Sequence, residues 1–397
     1  MLNSFILLVT VLTAGILIYP RLANARLWRA SITPLASIIG SGFLVLGPIL
    51  DVSYGRYALA VMLLLCAVAY LFGASIRYNI ATLDQMKKPR SGLELRLETL
   101  SAWALAFAYV ISVTYYLNLF GAFGVRLTPV DDTFHARSLT SAVLILILLV
   151  GWGRGFSALE RMEQVSVGIK LAIIAGLIFG LGGYFVQQAQ QDALVLNPPS
   201  VGKWGGLTLM FGLIVTVQGF ETSRYLGDSY SARTRIRSMR LAQLLSTAIY
   251  LLYIGFLSFS FPAGTLTLDE TTIIDLMQIV APILPILLVA AALSAQFSAA
   301  VADTSGSGGL IVELTKGRIS ARQGYAILVG IGLIMTWTYD VFQIISYASR
   351  AFALYYALQA TIAALVAMRQ IQTGKTIVFT TAALLAAVIV IFGRAVE

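Results

Sequence analysis

The sequence has little of what soluble enzymes are built from. Only 11% of its 397 residues are charged, whereas an ordinary soluble domain carries about 25%. It has one cysteine, Cys66, and one histidine, His135, which excludes a disulfide framework, a zinc cluster and a cysteine–histidine catalytic pair within one chain. Nucleotide-binding, zinc-protease and nucleophile-elbow motifs are also missing. We therefore expect no enzyme activity, no metal and no cofactor.

Long apolar runs dominate the sequence instead. Hydrophobic residues make up 58% of the chain. A helix that rises about 1.5 Å per residue needs roughly 20 apolar residues to cross a bilayer. The apolar runs between polar breaks predict an all-α transmembrane protein of about twelve helices. The predicted spans are 2–19, 31–50, 55–79, 98–123, 138–153, 159–187, 204–226, 239–261, 275–312, 322–338, 341–368 and 376–393.

The basic residues predict which side of the membrane each loop faces. With the N-terminus placed outside, the connections on one side hold 19 of the 27 lysines and arginines, and the other side holds five. Basic loops usually face the cytoplasm, so both termini are predicted outside, in a bacterial cytoplasmic (inner) membrane. The basic cytoplasmic loops then account for the net charge of +9, which does not have to indicate nucleic-acid binding. Signal-peptide cleavage after Leu22–Ala25 is an alternative, although no basic segment precedes the first helix.

Two predicted spans are interrupted by glycine and polar residues. The second contains Ala36–Phe43, the seventh contains Val217–Thr222, and the two lie five helices apart. An odd offset makes them cross in opposite directions, as an inverted repeat of five plus five helices requires. An unwound segment frees backbone groups that a polar substrate can satisfy, and amides near residues 40–43 suit a carboxylate. The alternative is that the glycines only let helices pack closely.

The same two segments carry a family resemblance. Ile38–Leu44, which reads Ile-Ile-Gly-Ser-Gly-Phe-Leu, resembles the signature on the first core helix of the amino acid, polyamine and organocation (APC) superfamily. Gly219–Glu221 resembles the Gly-Phe-Glu of its sixth core helix. Segments 108–120 and 167–170 resemble its third and fifth core helices. The resemblance covers residues of about 31–370.

For the fold, the resemblance implies a LeuT-like arrangement in which core helices one, three, six and eight surround the substrate. An extra N-terminal helix with a basic cytoplasmic loop would occupy 1–30. The first inverted repeat would occupy 31–187 and the second 203–370, and an extra C-terminal helix would occupy 371–397.

For the substrate, the resemblance implies amino acids or related amines. The Gly40–Gly42 amides would hold the carboxylate, and a carbonyl near Gly219 or Phe220 would accept the ammonium. The family's Glu-x-x-Asn-Pro pattern is absent after Gly-Phe-Glu here, so the individual substrate stays open. Aromatic side chains over such a site exclude water or stack on a cation. The candidate substrate contacts are Ile39, Gly40, Ser41, Gly42, Phe43, Tyr109, Tyr116, Gly219, Phe220, Glu221 and Phe297.

Ionisable residues inside predicted spans are costly in a bilayer unless paired, so each is a functional candidate. Lys170 and Asp303 are predicted at similar depths and could meet. A lysine beside a carboxylate and away from water can take up and release a proton. A static ion pair is the alternative. Sodium coupling is another, because Ser294 and Ser298 supply hydroxyl oxygens on the helix of Asp303.

Two further charged residues are candidates for closing a gate. They are Glu221, at the interruption of the seventh span, and Arg350, in the eleventh span. Arg350 could instead bind a backbone carbonyl. Glu221 could instead cap amides that the interruption frees.

Together these observations predict a secondary active transporter of amino acids or related small amines that works by alternating access. Coupling to protons, or exchange, is expected. The partners would be the solute, protons and the lipid bilayer, with sodium ranked below protons. A sodium-coupled symporter, a non-transporting sensor with the same fold and a channel are the alternatives. The oligomeric state is not indicated.

Overall fold

The computed structural model describes residues 2–40, 42–85, 91–153, 157–227, 229–262, 264–265 and 268–396, with the side chains of all but 83–85 and 157–165. Every regular element in these ranges is a helix. The α-helices are α1 Leu2–Ile18, α2 Pro20–Ala23, α3 Arg26–Ile38, α4 Gly42–Tyr54, α5 Ala58–Gln85, α6 Gly92–Arg126, α7 Thr133–Gly153, α8 Ser157–Gln190, α9 Lys203–Gly212, α10 Ala232–Ser258, α11 Thr272–Val280, α12 Leu284–Leu314, α13 Ala321–Thr338, α14 Val341–Arg369 and α15 Thr373–Phe392. Short 3₁₀ helices occupy Gly55–Tyr57, Ile214–Val217 and Phe220–Tyr225.

Many of these helices suit a bilayer. Eight helical segments in the described ranges are long and apolar enough to cross a membrane. Large side chains on the outside, such as Val11, Leu149 and Ile391, are about two thirds exposed, as lipid-facing residues are. The chain is therefore a multi-pass, all-α membrane protein. The count of twelve crossings and the five-plus-five arrangement stay predictions.

Helix α6 lies at the centre of the molecule. It begins at a capping box, in which the side chains of Ser91 and Glu94 each accept the other residue's backbone N–H. Most residues between Ser101 and Val125 are buried, and the helix packs along α12 and α14. Tyr116, in the middle of α6, contacts both of the interrupted segments described below.

The predicted single helix over residues 275–312 is wrong. Helix α11 ends at Val280 and α12 begins at Leu284. Pro282 lacks the N–H that would continue the helix, and a proline disfavours helical backbone in the residue before it. Accordingly Ala281 is extended, with φ −161° and ψ 133°.

The first and last helices are both packed on the rest of the chain. Helix α1 packs along α8, where the fully buried Ile6 lies against Gly180. Helix α15 packs along α14. Beyond it, the N–H of Arg394 donates to the carbonyl of Thr208 at 3.0 Å, which ties the end of the chain to α9.

Candidate functional site

The helix is interrupted within the second predicted span. Helix α3 ends at Ile38 and α4 begins at Gly42, and Ile39 leaves the helical region with ψ 54°. Ser41, a predicted contact, lies outside the described residues. The N-terminus of α4 therefore directs backbone N–H groups and partial positive charge toward this interruption.

Side chains from other helices satisfy carbonyls next to this first interruption. The Lys170 ammonium of α8 donates to the carbonyl oxygen of Ala36 at 2.8 Å. The Tyr250 hydroxyl of α10 lies 2.8 Å from the carbonyl oxygen of Ile38. The sequence prediction did not include Tyr250, although a tyrosine inside an apolar span was a usable signal.

The seventh predicted span is interrupted over a longer stretch. Helix α9 ends at Gly212 and gives way to 3₁₀ turns, and Gly219 has φ +115°, a region that favours glycine. The Ser349 hydroxyl of α14 donates to the carbonyl oxygen of Gly212 at 2.6 Å and accepts from the N–H of Val215 at 3.0 Å. Ser349, also missed from the sequence, thus satisfies backbone groups of this interruption.

The two interruptions touch each other. A Cβ atom on Gly42 would lie 3.2 Å from the Cα of Thr216, and one on Gly219 would lie 2.7 Å from the backbone nitrogen of Ile38. The Tyr250 hydroxyl that reaches Ile38 also lies 2.6 Å from the carbonyl oxygen of Thr216. Glycine at these two positions therefore permits the contact, and one hydroxyl links both segments.

Buried side chains at the second interruption keep unused acceptor atoms. Oε2 of Glu221 accepts from the N–H of Gly219 at 3.0 Å and from the Tyr356 hydroxyl at 2.9 Å. The Gln218 amide nitrogen donates to the Tyr116 hydroxyl at 3.2 Å. Oε1 of Glu221 and Oε1 of Gln218 have no hydrogen-bond partner among the described residues. A buried acceptor without a donor costs about 1–3 kcal/mol, so a ligand that donates there would be favoured.

Two of the predicted aromatic contacts lie at the interruptions. A Cβ atom on Gly40 would lie 3.4 Å from the Tyr116 ring, so this tyrosine reaches both interrupted segments. Phe220 is fully buried and stacks on Tyr356 at a centroid distance of 5.2 Å.

The other predicted aromatics take part in helix packing. The Phe43 ring lies 4.4 Å from that of Tyr253. The Tyr109 ring meets Phe352 edge-on at 6.1 Å. Phe297 is half-buried and packs against the hydrophobic core. Their contacts with substrate stay predictions.

The residues predicted to couple ions lie near the first interruption. Asp303 accepts a hydrogen bond from the Ser112 hydroxyl of α6. Asp303 and Ser298 line one cavity of about 10 Å³, and the Ser298 hydroxyl donates to the carbonyl of Ala295 at 3.1 Å. Ser294 is half-buried one helical turn from Ser298. The pairing of Lys170 with Asp303 stays a prediction.

Space at the interruptions is small. The cavity beside Asp303 also touches Ser37 and Thr222, and a second cavity of about 10 Å³ lies between Gly40 and Lys170. A cavity of that size holds about one water molecule. These two cavities cannot hold an amino acid unless the surrounding helices move apart.

Arg350, a predicted gate residue, contacts the last helix. Its Nε donates to the carbonyl oxygen of Val390 on α15 at 2.7 Å. This contact agrees with the structural alternative, in which the arginine binds a backbone carbonyl. The gating role of Arg350 stays a prediction.

An arginine in the last 3₁₀ helix of the second interruption links this segment to α6 and α14. Arg224, only 8% exposed, pairs with Glu98 of α6 and donates to the side-chain oxygen of Gln359 on α14. Gln359 in turn donates to the Ser101 hydroxyl at 2.6 Å. This network was not predicted from the sequence, although an arginine inside an apolar span was its signal. The network lies at the predicted cytoplasmic end.

The predicted outer end is open by contrast. Two adjoining cavities there measure about 230 and 210 Å³, and we call them together the outer vestibule. The charged residues of its lining are Asp131, Asp132, Asp269, Glu270, Asp340, Arg126 and Arg137. Five carboxyl groups against two arginines make a space that attracts cations.

Two carboxyl groups of the vestibule have shifted pKa values. Hydrogen bonds from the backbone N–H and the ring of His135 lower the pKa of Asp132. Burial raises the pKa of Glu270, and Asp269 and Asp340 raise it further by repulsion between like charges. Glu270 therefore ionises at higher pH than an ordinary glutamate.

Comparisons with known proteins agree with this architecture. Residues 20–393 match the model of a family described as APC superfamily transporter. The chain is 40% identical over 384 residues to an uncharacterized protein of Aquifex aeolicus (strain VF5). That alignment covers 95% of this chain and 93% of the relative.

Proposed function

The chain belongs to the APC superfamily of transporters, and from that premise we propose that it carries amino acids or related small amines across the membrane by alternating access. The observation that carries the proposal is the meeting of two interrupted helices beside the unused acceptors of Gln218 and Glu221. A transporter needs a polar binding site within the bilayer that can open to either side in turn. Unwound backbone supplies polar groups for such a site.

The two ends of a zwitterion would find different partners here. Its ammonium would donate to Oε1 of Gln218 and Oε1 of Glu221, which have no donor among the described residues. Its carboxylate would meet the N–H groups at the start of α4, near Gly42. Tyr116, which contacts both segments, would cover the solute.

Movement is part of the proposal, because the cavities beside the interruptions hold about one water each. The Arg224–Glu98–Gln359 network would open and close the cytoplasmic end. The outer vestibule would concentrate amine-bearing solutes on the other side, since it carries an excess of carboxyl groups.

We place this machinery in two inverted repeats, at 31–187 and 203–370. In that arrangement the extra helices of 1–30 and 371–397 flank the repeats. Both termini would lie outside the cytoplasmic membrane of a bacterium, as the distribution of lysine and arginine predicts.

For coupling, we favour protons. The Lys170 ammonium donates to the carbonyl of Ala36, two residues before α3 ends. Loss of its proton would remove the charge from that hydrogen bond and loosen α3, the helix that leads into the first interruption. Proton exchange with Asp303 would then link the state of α3 to the pH gradient.

Sodium is the second candidate for coupling. Oxygen-bearing side chains of Ser298, Asp303 and Ser37 line one cavity of about 10 Å³ between α3 and α12. Hard cations prefer such oxygen ligands. Transport that requires sodium in the buffer would support this candidate against protons.

Counterflow in proteoliposomes tests the function. Vesicles loaded with unlabelled amino acids or amines should accumulate the matching labelled solute transiently and with saturation. A protein that binds solutes but gives no counterflow would be a sensor, and flux that never saturates would indicate a channel. Either result would overturn the proposal.

The coupling test uses the same vesicles with a pH-sensitive dye inside. Solute uptake should carry protons in the wild type and not in Lys170→Ala. Lys203→Ala, at the exposed start of α9, is the matched control and should behave as the wild type. Equal proton uptake in Lys170→Ala would remove the role of Lys170.

A further inference from the structure

A cavity of about 380 Å³, larger than either cavity of the outer vestibule, lies away from both interruptions. It is a groove between α1, α2, α3 and α8, and every lining residue is aliphatic, glycine or tryptophan. Its walls include Leu17, Ile18, Trp28, Ile32, Val167 and Leu171. We call it the N-terminal groove.

The groove arises because α1 and α8 separate along their length. Near the start of α1, Ile6 packs against Gly176 and Gly180, where no Cβ atom would fit without displacing it or its neighbours. About two turns earlier on α8, a Cβ atom on Gly168 would meet no atom within 4 Å. The helices therefore touch at one end and leave an apolar gap at the other.

The charged residues of α2 and α3, next to the groove, are all arginines. The first 50 residues contain three arginines and no aspartate or glutamate. Arg21 lies on α2, Arg26 and Arg29 lie on α3, and all three are exposed within a few residues of the groove wall. Basic clusters at the cytoplasmic end of membrane helices attract the phosphates of anionic lipids.

We propose that the N-terminal groove binds an anionic phospholipid, with one acyl chain between α1 and α8 and the phosphate held by Arg21, Arg26 and Arg29. The apolar walls match an acyl chain, and a bilayer supplies such chains directly to a groove whose wall includes exposed residues such as Ile18 and Ile169. The three arginines select anionic headgroups over zwitterionic ones.

The bound lipid would act on α3. Trp28 and Ile32 belong to α3 and form part of the groove wall. On the opposite wall, Lys170 lies between lining residues and holds α3 through the carbonyl of Ala36. A lipid in the groove thus contacts the two helices whose hydrogen bond adjoins the first interruption. Its presence would restrain the movement of α3.

Photocrosslinking in nanodiscs tests this site. Phosphatidylglycerol and phosphatidylcholine, each with a diazirine on the same acyl chain, are reacted with the full chain, and the labelled peptides are identified by mass spectrometry. We expect phosphatidylglycerol to label residues 14–32 and 167–171 about tenfold more strongly. Equal labelling by the two lipids would overturn the anionic site.

Two variants separate the acyl chain from the headgroup. Gly168→Leu places a side chain in open space and should block labelling by both lipids, whereas Gly330→Leu, an equally open glycine on α13, should not. Replacing Arg21, Arg26 and Arg29 together with glutamine should abolish the preference and retain acyl labelling. Labelling that survives Gly168→Leu, or crosslinks from the groove to a second copy of the chain, would overturn the proposal.

Discussion

The two helix interruptions both leave backbone polar groups without their helical hydrogen-bond partners, and they satisfy these groups in different ways. The first is short, because α3 ends at Ile38 and α4 begins at Gly42. Carbonyls beside it are satisfied by Lys170 and Tyr250 from neighbouring helices. Hydrogen bonds from long side chains of other helices therefore hold the first interruption in place.

The second interruption is longer and incompletely satisfied. It runs from Leu213 to Tyr225 through two 3₁₀ segments and a left-handed glycine. Its own side chains, Gln218 and Glu221, keep buried acceptors that no described residue fills. The difference supports the roles that we propose, in which the first segment positions the site and the second recognises the amine of the solute.

The largest effect we expect comes from Gly219→Ala. An alanine would be strained at φ +115°, and its Cβ would press on the backbone nitrogen of Ile38. We expect a loss of about 2–4 kcal/mol in stability, seen as a lower midpoint of thermal unfolding in detergent by tryptophan fluorescence. Gly330→Ala, where the space is open, is the control. Equal midpoints would show that the interruptions do not touch as described.

Tyr250→Phe measures how much the Tyr250 hydroxyl, which contacts both interruptions, contributes to stability. The carbonyls of Ile38 and Thr216 would lose their shared donor inside the protein. We expect a loss of about 1–3 kcal/mol in the same unfolding measurement. Tyr57→Phe, on an exposed ring, should cost nothing measurable. An unchanged midpoint for Tyr250→Phe would mean that the Tyr250 hydroxyl does not hold the first interruption in place.

Glu221→Gln tests the recognition assigned to the second interruption. The amide keeps the size of the side chain, but it cannot ionise and it replaces one acceptor oxygen with a donor. We expect the rate of counterflow to fall by about tenfold while stability changes little. Glu94→Gln, a buried glutamate paired with Arg369 at 2.5 Å, is the matched control for transport. Equal transport in both variants would contradict the assignment.

The smallest effect that we expect is on how strongly the outer vestibule attracts the solute. Burial and neighbouring acids raise the pKa of Glu270, so Glu270 adds its negative charge to the outer vestibule only as pH rises through that raised value. The apparent KM for a cationic amine should therefore fall by about two- to threefold as pH rises. Glu270→Gln should flatten this pH profile, and Lys203→Ala should leave it as in the wild type. A profile in Glu270→Gln that is as steep as in the wild type, or steeper, would contradict the assignment.

Much of the fold was predictable because apolar length and interrupting glycines are local signals. The interruptions near Gly40 and Gly219 followed from polar residues inside apolar runs. The split of 275–312 was missed, although Pro282 marks it in the sequence. The partners Tyr250, Ser349 and the Arg224–Glu98 pair were missed because they depend on which helices pack together, and spacing along one helix does not reveal that.

The central claim is that solute binds where the two interruptions meet, and hydrogen exchange followed by mass spectrometry tests it most directly. With a solute identified by counterflow, amide exchange is compared with and without ligand. The account predicts slower exchange in peptides that cover 36–46 and 213–225 together, and no change across α15. Protection confined to the outer vestibule, or absent from either interruption, would contradict it.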